Sequence, residues 1–398
     1  MRLSDRPLKI NKMFKTIEQN FQVSYRYSLH FTENLFGSEN TLFKKIVQEY
    51  KNEPVKLLFV IDEGVVEAHP SLLEKITSYC KKYSTNLMHT KSLVVQGGEA
   101  CKNDETHVNS ILEEINTNAI CRHSFVVVIG GGAVIDMAGY AAAIGHRGVK
   151  LIRIPTTVLS QNDSAVGVKN SINFFGKKNF IGTFAPPYAI INDTDFLKTL
   201  EQRDWIAGIS EALKVALIKD ALFFEYLEKN ALELAKRDMG TMQYTIYRCA
   251  EMHMHHIAKG GDPFESGSSR PLDFGHWAAH KLEHMTNYTL RHGEAVAKGI
   301  VLDVVYAHLI GLISEQDLNR IVAVFQSIGF DLSFPIVTEK EMSQLLNGIQ
   351  EFREHLGGEL TITLLSDIGK KYDVHQIDTN IMKKALNLVN EISKPKVA

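Results

Sequence analysis

Phe125 to Ile129 (FVVVI) is wholly apolar, and Gly130-Gly131-Gly132 closes it. A run this short and this apolar, stopped by glycine, reads as a strand buried on both faces. The apolar residues then continue to Ile144, broken by Asp136, so the whole is a strand, a turn and a helix rather than a membrane span. The same unit recurs along the chain. Val55 to Ile61 ends in Asp62-Glu63-Gly64, and a helical stretch follows from Ser71 to Tyr83. Asn86 to Val95 ends in Gly97-Gly98 and leads into a helix over Asp104 to Ile115. Val149 to Ile154 ends at Pro155-Thr156-Thr157. Gln22 to Phe31 alternates and reads as a further strand, and Asn40 to Tyr50 as a helix. Strands and helices alternating at these lengths predict an α/β fold with a doubly wound, mainly parallel sheet.

The texture changes near residue 200. Trp205–Lys219, Phe223–Asp238, Thr241–Lys259, His276–Asn287, Gly293–Ile310, Glu315–Ile328 and Glu339–Glu354 all read as helices, and Leu360–Leu365 as a lone strand. The expected division is residues 1–203, an α/β domain, and residues 204–398, a mainly helical one. The join carries no flexible linker, so the halves are expected to pack around a cleft.

Acidic and basic residues nearly cancel, at a net charge of −2, which leaves no electrostatic footprint for nucleic acid or membrane. Cys80, Cys101, Cys121 and Cys249 are scattered without a CxxC. That spacing fits a reducing cytosol and argues against a cysteine-ligated zinc. The polar, charged N-terminus lacks the apolar core of a secretion signal, so a cytoplasmic protein is expected.

Three stretches carry chemistry. The first holds His276, His280, His284 and His292, with Glu283 and Glu294 beside them. Singly, each histidine reads as a solvated surface residue. Together they read as ligands, because imidazoles at the starts of two successive helices can converge on one metal ion. Glu211 and Lys214 lie three apart in ISEALKVALI, on one face of a mostly apolar helix. They are either an intrahelical ion pair or a metal carboxylate with a nearby substrate lysine. The second is the triple glycine, which lets a pyrophosphate approach a helix N-terminus, although it is not GxGxxG. Glu99, Lys102, Asp136, Thr156 and Thr157 add polar groups at the carboxyl ends of strands, where open α/β sheets bind ligands. The third, Ser160 to Asn179, reads as a long polar loop with Lys169 and Lys178, either simply solvated or suited to a phosphate.

The chain resembles the sugar phosphate cyclases, the superfamily that includes 3-dehydroquinate synthase. The likeness runs from about residue 55 to about 370. It is carried by GEACKN at 98–103, GGGAVIDMAGYAAA at 130–143, RGVKLIRIPTTVLSQNDSAVGVK at 147–169, GKKNFIGTF at 176–184, DTDFLKTL at 193–200, EALK at 211–214, FGHWAAH at 274–280 and HGEAV at 292–296. It implies a dehydroquinate synthase-like fold, with a Rossmann-like domain followed by a helical one. It implies a divalent metal, zinc or cobalt, held by Glu211, His276 and His292. It implies NAD contacted around Asp62, Glu99, Lys102, Gly131, Gly132, Asp136, Thr156, Thr157, Lys178, Phe196 and Thr199. It implies substrate contacts from Asp163, Lys169, Asn179, Lys214 and His280, with Arg147 reaching the phosphate across a homodimer interface. The implied reaction eliminates phosphate from a small sugar phosphate with transiently reduced NAD, then closes a carbocycle by aldol addition.

The pattern also departs from the dehydroquinate synthases. Asp273 stands where they carry asparagine, and Arg270 is displaced by one and followed by Pro271. Their carboxylate-binding lysine falls at Met254 or His255. RPLDFGH, EFREHLGG at 351–358 and FTENLFGSENTL resemble the 2-epi-5-epi-valiolone synthase branch, which cyclises sedoheptulose 7-phosphate. The alternatives are 3-dehydroquinate synthase itself and, in another class, a glycerol-type dehydrogenase with net NAD turnover. Lys169, GKKN and EALK favour a phosphate-eliminating cyclase over the latter.

Overall fold

The computed structural model describes residues 16–261, 263, 264, 271–336 and 338–393; Arg270 lies outside them. The first half is built on a six-stranded, all-parallel sheet in the order β1-β8-β5-β4-β2-β3. Its strands are β1 (Ser28–Thr32), β2 (Val55–Asp62), β3 (Leu87–Val95), β4 (Phe125–Gly130), β5 (Lys150–Pro155) and β8 (Ala189–Asp193). β4 is buried along its whole length between β2 and β5, as its unbroken apolar run requires. Helices α1 (Leu42–Tyr50), α2 (Glu63–Ala68), α3 (Leu72–Lys82), α4 (Glu105–Thr117) and α5 (Gly132–Ile144) supply the crossovers. One apolar cluster fills each face of the sheet. From β2 the order runs outward to β3, then returns to β4 and continues to β5 and β8. The switch therefore lies between β2 and β4, with Asp62 and Gly130 at its carboxyl edge.

Two expectations fail here. The strand expected over Gln22–Phe31 is confined to Ser28–Thr32, the part that pairs with β8. Ser160 to Asn179 is not a long loop. After a wide turn at Ser160–Ser164, β6 (Lys169–Phe174) and β7 (Lys177–Phe184) form an antiparallel hairpin. Three of the four buried positions of β6, Asn170, Ser171 and Asn173, are polar, which hides the usual alternation. Asn170 accepts from Arg153 at 2.7 Å, and Asn173 donates to Glu99 and Asn103 at 3.1 and 2.9 Å.

The second half is helical: α6 (Gln202–Ala207), α7 (Ile209–Lys219), α8 (Ala221–Lys229), α9 (Ala231–Ala235), α10 (Met239–Lys259), α11 (His276–Met285), α12 (His292–Leu309), α13 (Glu315–Ile328), α14 (Glu339–His355) and α15 (Thr379–Ile392). Asp220, Asp238, Ser314, Thr338 and Asp378 cap α8, α10, α13, α14 and α15 by accepting first-turn amides. A small hairpin, β9 (Ile362–Asp367) with β10 (Lys370–Val374), packs beside them. α7 and α12 run through the middle of one large apolar cluster. α11 starts hard against α12. A Cβ on Gly299 would sit 2.0 Å from the Gly275 carbonyl oxygen, so only glycine fits that crossing. Asp303 of α12 secures the same turn, accepting from the Gly275 amide at 3.1 Å and from Trp277 Nε1 at 2.8 Å. The two halves meet without a gap at Gly208, whose carbonyl accepts from Asn162 at 2.8 Å.

A candidate metal and nucleotide site between the two halves

α7, α11 and α12 bring Glu211, His276 and His292 together, with one ligand-capable atom of each inside 4.8 Å of the others. Glu211 Oε1 lies 3.7 Å from His276 Nε2 and 3.8 Å from His292 Nε2. The remaining ring nitrogens are already used. His276 Nδ1 is 3.1 Å from the Phe274 carbonyl, and His292 Nδ1 is 3.1 Å from Glu283 Oε2. Those oxygens can only accept, so each Nδ1 carries the proton and each Nε2 offers a lone pair to the space by Glu211.

The energetics of Glu211 point the same way. It is fully buried, and neither oxygen accepts a well-formed hydrogen bond. Lys214, one turn on, is its ionic neighbour. Burial pushes the Glu211 carboxyl up while Lys214 pulls it down. Burial and the adjacent Lys214 push the His276 imidazole well below its ordinary value, so the ring is neutral, the form that binds metal. A buried carboxylate with a single ionic neighbour and its other oxygen unfilled is costly. One carboxylate and two neutral imidazoles make a donor set for zinc or cobalt with a position left open. The ion pair of Glu211 with Lys214 is thus compatible with Glu211 as a metal ligand.

Around this centre stand the other expected substrate residues. Burial works against the Lys214 ammonium, but Glu211 and Asp163 outweigh it and hold the group charged, with Asp273 adding to the effect. Burial likewise works against the Asp163 carboxylate, and Lys214 and His253 outweigh it. The exposed His280 packs its ring 5.5 Å from that of His276 and 5.9 Å from that of His292. Asn179 sits in β7 in the left-handed region (φ 56°); its side-chain oxygen accepts from Ser171 at 2.9 Å and from Lys102. Lys169 opens β6, at the exposed start of the same hairpin.

The nucleotide-type residues line the carboxyl edge of the sheet. Asp62 ends β2 and accepts from Gly64 at 2.9 Å, and its burial raises the carboxyl. Gly130 is so close that a Cβ there would meet the Asp62 Cβ at 3.1 Å. Gly131 and Gly132 open α5, and a side chain at Gly132 would strike Ser164 at 2.6 Å. Thr156 donates its amide to the Gly130 carbonyl at 3.0 Å, and Thr157 is tied to Ser160. Lys102 is buried with Asp136 at 2.8 Å and Glu99 at 3.8 Å. Lys178 reaches Glu283 at 2.8 Å. Phe196 and Thr199 both meet His69, by ring contact at 5.1 Å and at 2.9 Å.

Sequence comparison reaches both halves of the chain. The N-terminal profile of 3-dehydroquinate synthase matches residues 92–207, and the C-terminal profile matches residues 208–351. A 3-dehydroquinate synthase of Shewanella sp. (strain MR-4) is 32% identical over 361 residues, 90% of this chain and 96% of that protein. The chain belongs to the 3-dehydroquinate synthase family. Among solved structures, ValA, the 2-epi-5-epi-valiolone synthase of Streptomyces hygroscopicus subsp. jinggangensis 5008 with NAD+ and Zn2+ bound, superposes with a TM-score of 0.84 at 26% identity. That match covers 95% of this chain and all of ValA. A 2-deoxy-scyllo-inosose synthase complexed with carbaglucose-6-phosphate, NAD+ and Co2+ shares the fold, with a TM-score of 0.74 at 23% identity over 91% of this chain and 96% of that one.

In this member of the 3-dehydroquinate synthase family, one expected position needs correction, and Arg147, expected to act across a dimer interface, stands apart from the rest within the single chain. It lies at the amino end of β5, whereas Thr156 follows the carboxyl end, about 20 Å away along six residues. It borders a hollow of about 400 Å3 with Arg122, His123 and His146. The correction concerns α10. Neither Met254 nor His255 meets the charged cluster; His253 does, its Nδ1 3.1 Å from Asp163 Oδ1. No pattern in MHMHHIAK singles out His253, because the choice depends on how α10 rotates against the Ser160–Ser164 turn. His69 was also beyond sequence reasoning, since its partners are remote in the chain, as was the link of Glu283 to Lys178.

Proposed function

We propose that this chain is a metal- and NAD-dependent sugar phosphate cyclase whose substrate is sedoheptulose 7-phosphate, as in the 2-epi-5-epi-valiolone synthases. The metal would be held by Glu211, His276 and His292, and the nucleotide along Asp62, the triple glycine, Lys102 and Thr156. Bound there, NAD supplies a reversible hydride acceptor and the metal a Lewis acid for a substrate oxygen. The chain's own residues do the rest. Lys214 donates to a substrate hydroxyl from between Glu211 and Asp163. Asp163 and His253 orient further hydroxyls. Lys169, Asn179 and His280 receive the charge of the departing phosphate. Arg147 acts from a partner copy, so the working form is a homodimer, in a reducing cytosol.

The observation that carries the substrate choice is the pair His253 and Asp273. A histidine held against Asp163 takes the α10 position facing the site, and Asp273 adds a second carboxylate beside Lys214. Asp273 can accept from sugar hydroxyls but repels a carboxylate. A buried like-charge contact costs on the order of several kcal/mol, and each ~1.4 kcal/mol is tenfold in specificity. The 32% identity to a 3-dehydroquinate synthase favours that activity as the second reading.

The test is phosphate release by purified protein with NAD and zinc or cobalt. Sedoheptulose 7-phosphate is compared with the carboxylate-bearing substrate of dehydroquinate synthases. The expected result is a kcat/KM at least a hundredfold higher for the former, many turnovers without lasting NADH absorbance, and a gap that Asp273→Asn narrows. Preference for the carboxylate substrate would overturn the choice; stoichiometric NADH would point instead to a dehydrogenase.

A further inference from the structure

Glu283 is a buried carboxylate outside the metal-ligand set, and both of its oxygens are engaged. Oε1 accepts from Lys178 Nζ at 2.8 Å, and Oε2 faces His292 Nδ1 at 3.1 Å. Glu283 lies on α11, His292 opens α12, and Lys178 comes from β7, 105 residues upstream. Resting on the ligand set proposed above, we infer that Glu283 is a positioning residue: it fixes the ring of His292 and, through Lys178, ties the metal centre to the β6–β7 hairpin.

The two imidazoles of the site are oriented differently. His276 is held by a backbone carbonyl, which is neutral and part of its own turn. His292 is held by a charged side chain, which makes the ring a better electron donor at Nε2. Glu283, His280 and His292 are themselves close enough to be read as a ligand group. The carboxylate is already taken up by an ammonium on one oxygen and an imidazole N–H on the other, so orienting is the role that fits. Lys178 adds a second consequence. The same hairpin carries Asn179 and Lys169, so its seating and the aim of His292 are set by one buried ion pair.

The test is metal affinity, read by competition with a chelator for Zn2+ and Co2+ on the purified full chain. Glu283→Gln keeps the shape and removes the charge, and it decides the matter. Expected is a loss of roughly tenfold to a hundredfold in affinity, with a smaller loss in Lys178→Met. The visible bands of the saturated Co2+ protein should shift in Glu283→Gln, which mere loosening of the fold would not produce. Melting of the metal-free protein checks that the fold persists. A change below threefold in Glu283→Gln overturns the inference. His276→Ala separates this from the ligand set: if it still binds metal as well as the unaltered chain, the ligand assignment is what has failed.

Discussion

Arg153→Lys tests how the substrate-side turn is held. Arg153 leaves β5 and is completely buried, with no carboxylate among the described residues hydrogen-bonded or ion-paired to it. Nη1 donates to the carbonyls of Ala165 and Gly167 at 2.8 and 2.6 Å, and Nη2 to Lys169 O and Asn170 Oδ1 at 3.2 and 2.7 Å. Burial lowers the guanidinium to about 10, partly countered by Asp136 and Tyr27. The segment so gripped links Asp163 to Lys169. Lysine keeps the charge but has one nitrogen in place of a planar fork, so about two of the four acceptors lose their donor. At about 1–3 kcal/mol for each buried group left unsatisfied, the expected destabilisation is about 2–6 kcal/mol. Urea unfolding followed by circular dichroism measures it. Trp205 and Trp277 both lie in the helical half, so their fluorescence reports that half separately. Phosphate release should fall at least tenfold in kcat/KM while metal content stays unchanged. A shift below about 1 kcal/mol with full activity would refute the idea that the fork holds the turn.

Two further perturbations address the metal-bearing helices. Asp303 is fully buried, and burial raises its carboxyl to about 7, with Trp277 and Gly275 partly countering. The folded state therefore binds this proton more tightly than the unfolded one. Its contribution is complete below about pH 4 and lost as pH rises through about 7, on the order of 4 kcal/mol at most. Asp303→Asn should flatten the stability profile of the metal-free protein across that window; unchanged curvature in melting from pH 4 to 8 would contradict this. Gly299→Ala must push the Gly275 turn away from α12, with overpacking costing about 1–3 kcal/mol. Chelator competition should show weaker metal binding, and an unaltered affinity would mean the crossing does not set the distance between the histidines.

Much of this was legible because strong local signals agreed. β4 and its triple glycine announced a buried strand of a parallel sheet, since FVVVI is wholly apolar and stopped by glycine. His276 and His292 were placed at helix starts by the loop residues before them. The β6–β7 hairpin was hidden because most of the buried positions of β6 are polar, and Arg153, which satisfies Asn170, comes from another strand. β8 and α15 were not read at all, the first being a short run between turns. His253 was missed because three neighbouring residues of α10 are equally plausible by composition, and only packing selects among them. Glu283 was visible as a residue but not as a link, because Lys178 is far away in the chain.

The crossing of Gly275 with Gly299, clamped by Asp303, makes the two histidine-bearing helices one rigid block. His253 and Asp273, argued to choose the substrate, lie outside that crossing, the first on α10 and the second in the turn just before Gly275. Chemistry and selectivity therefore sit on parts of the chain with different tolerance to change. Redesign for another sugar phosphate can start from His253 and Asp273, keeping Gly275, Gly299 and Asp303, without rebuilding the metal centre.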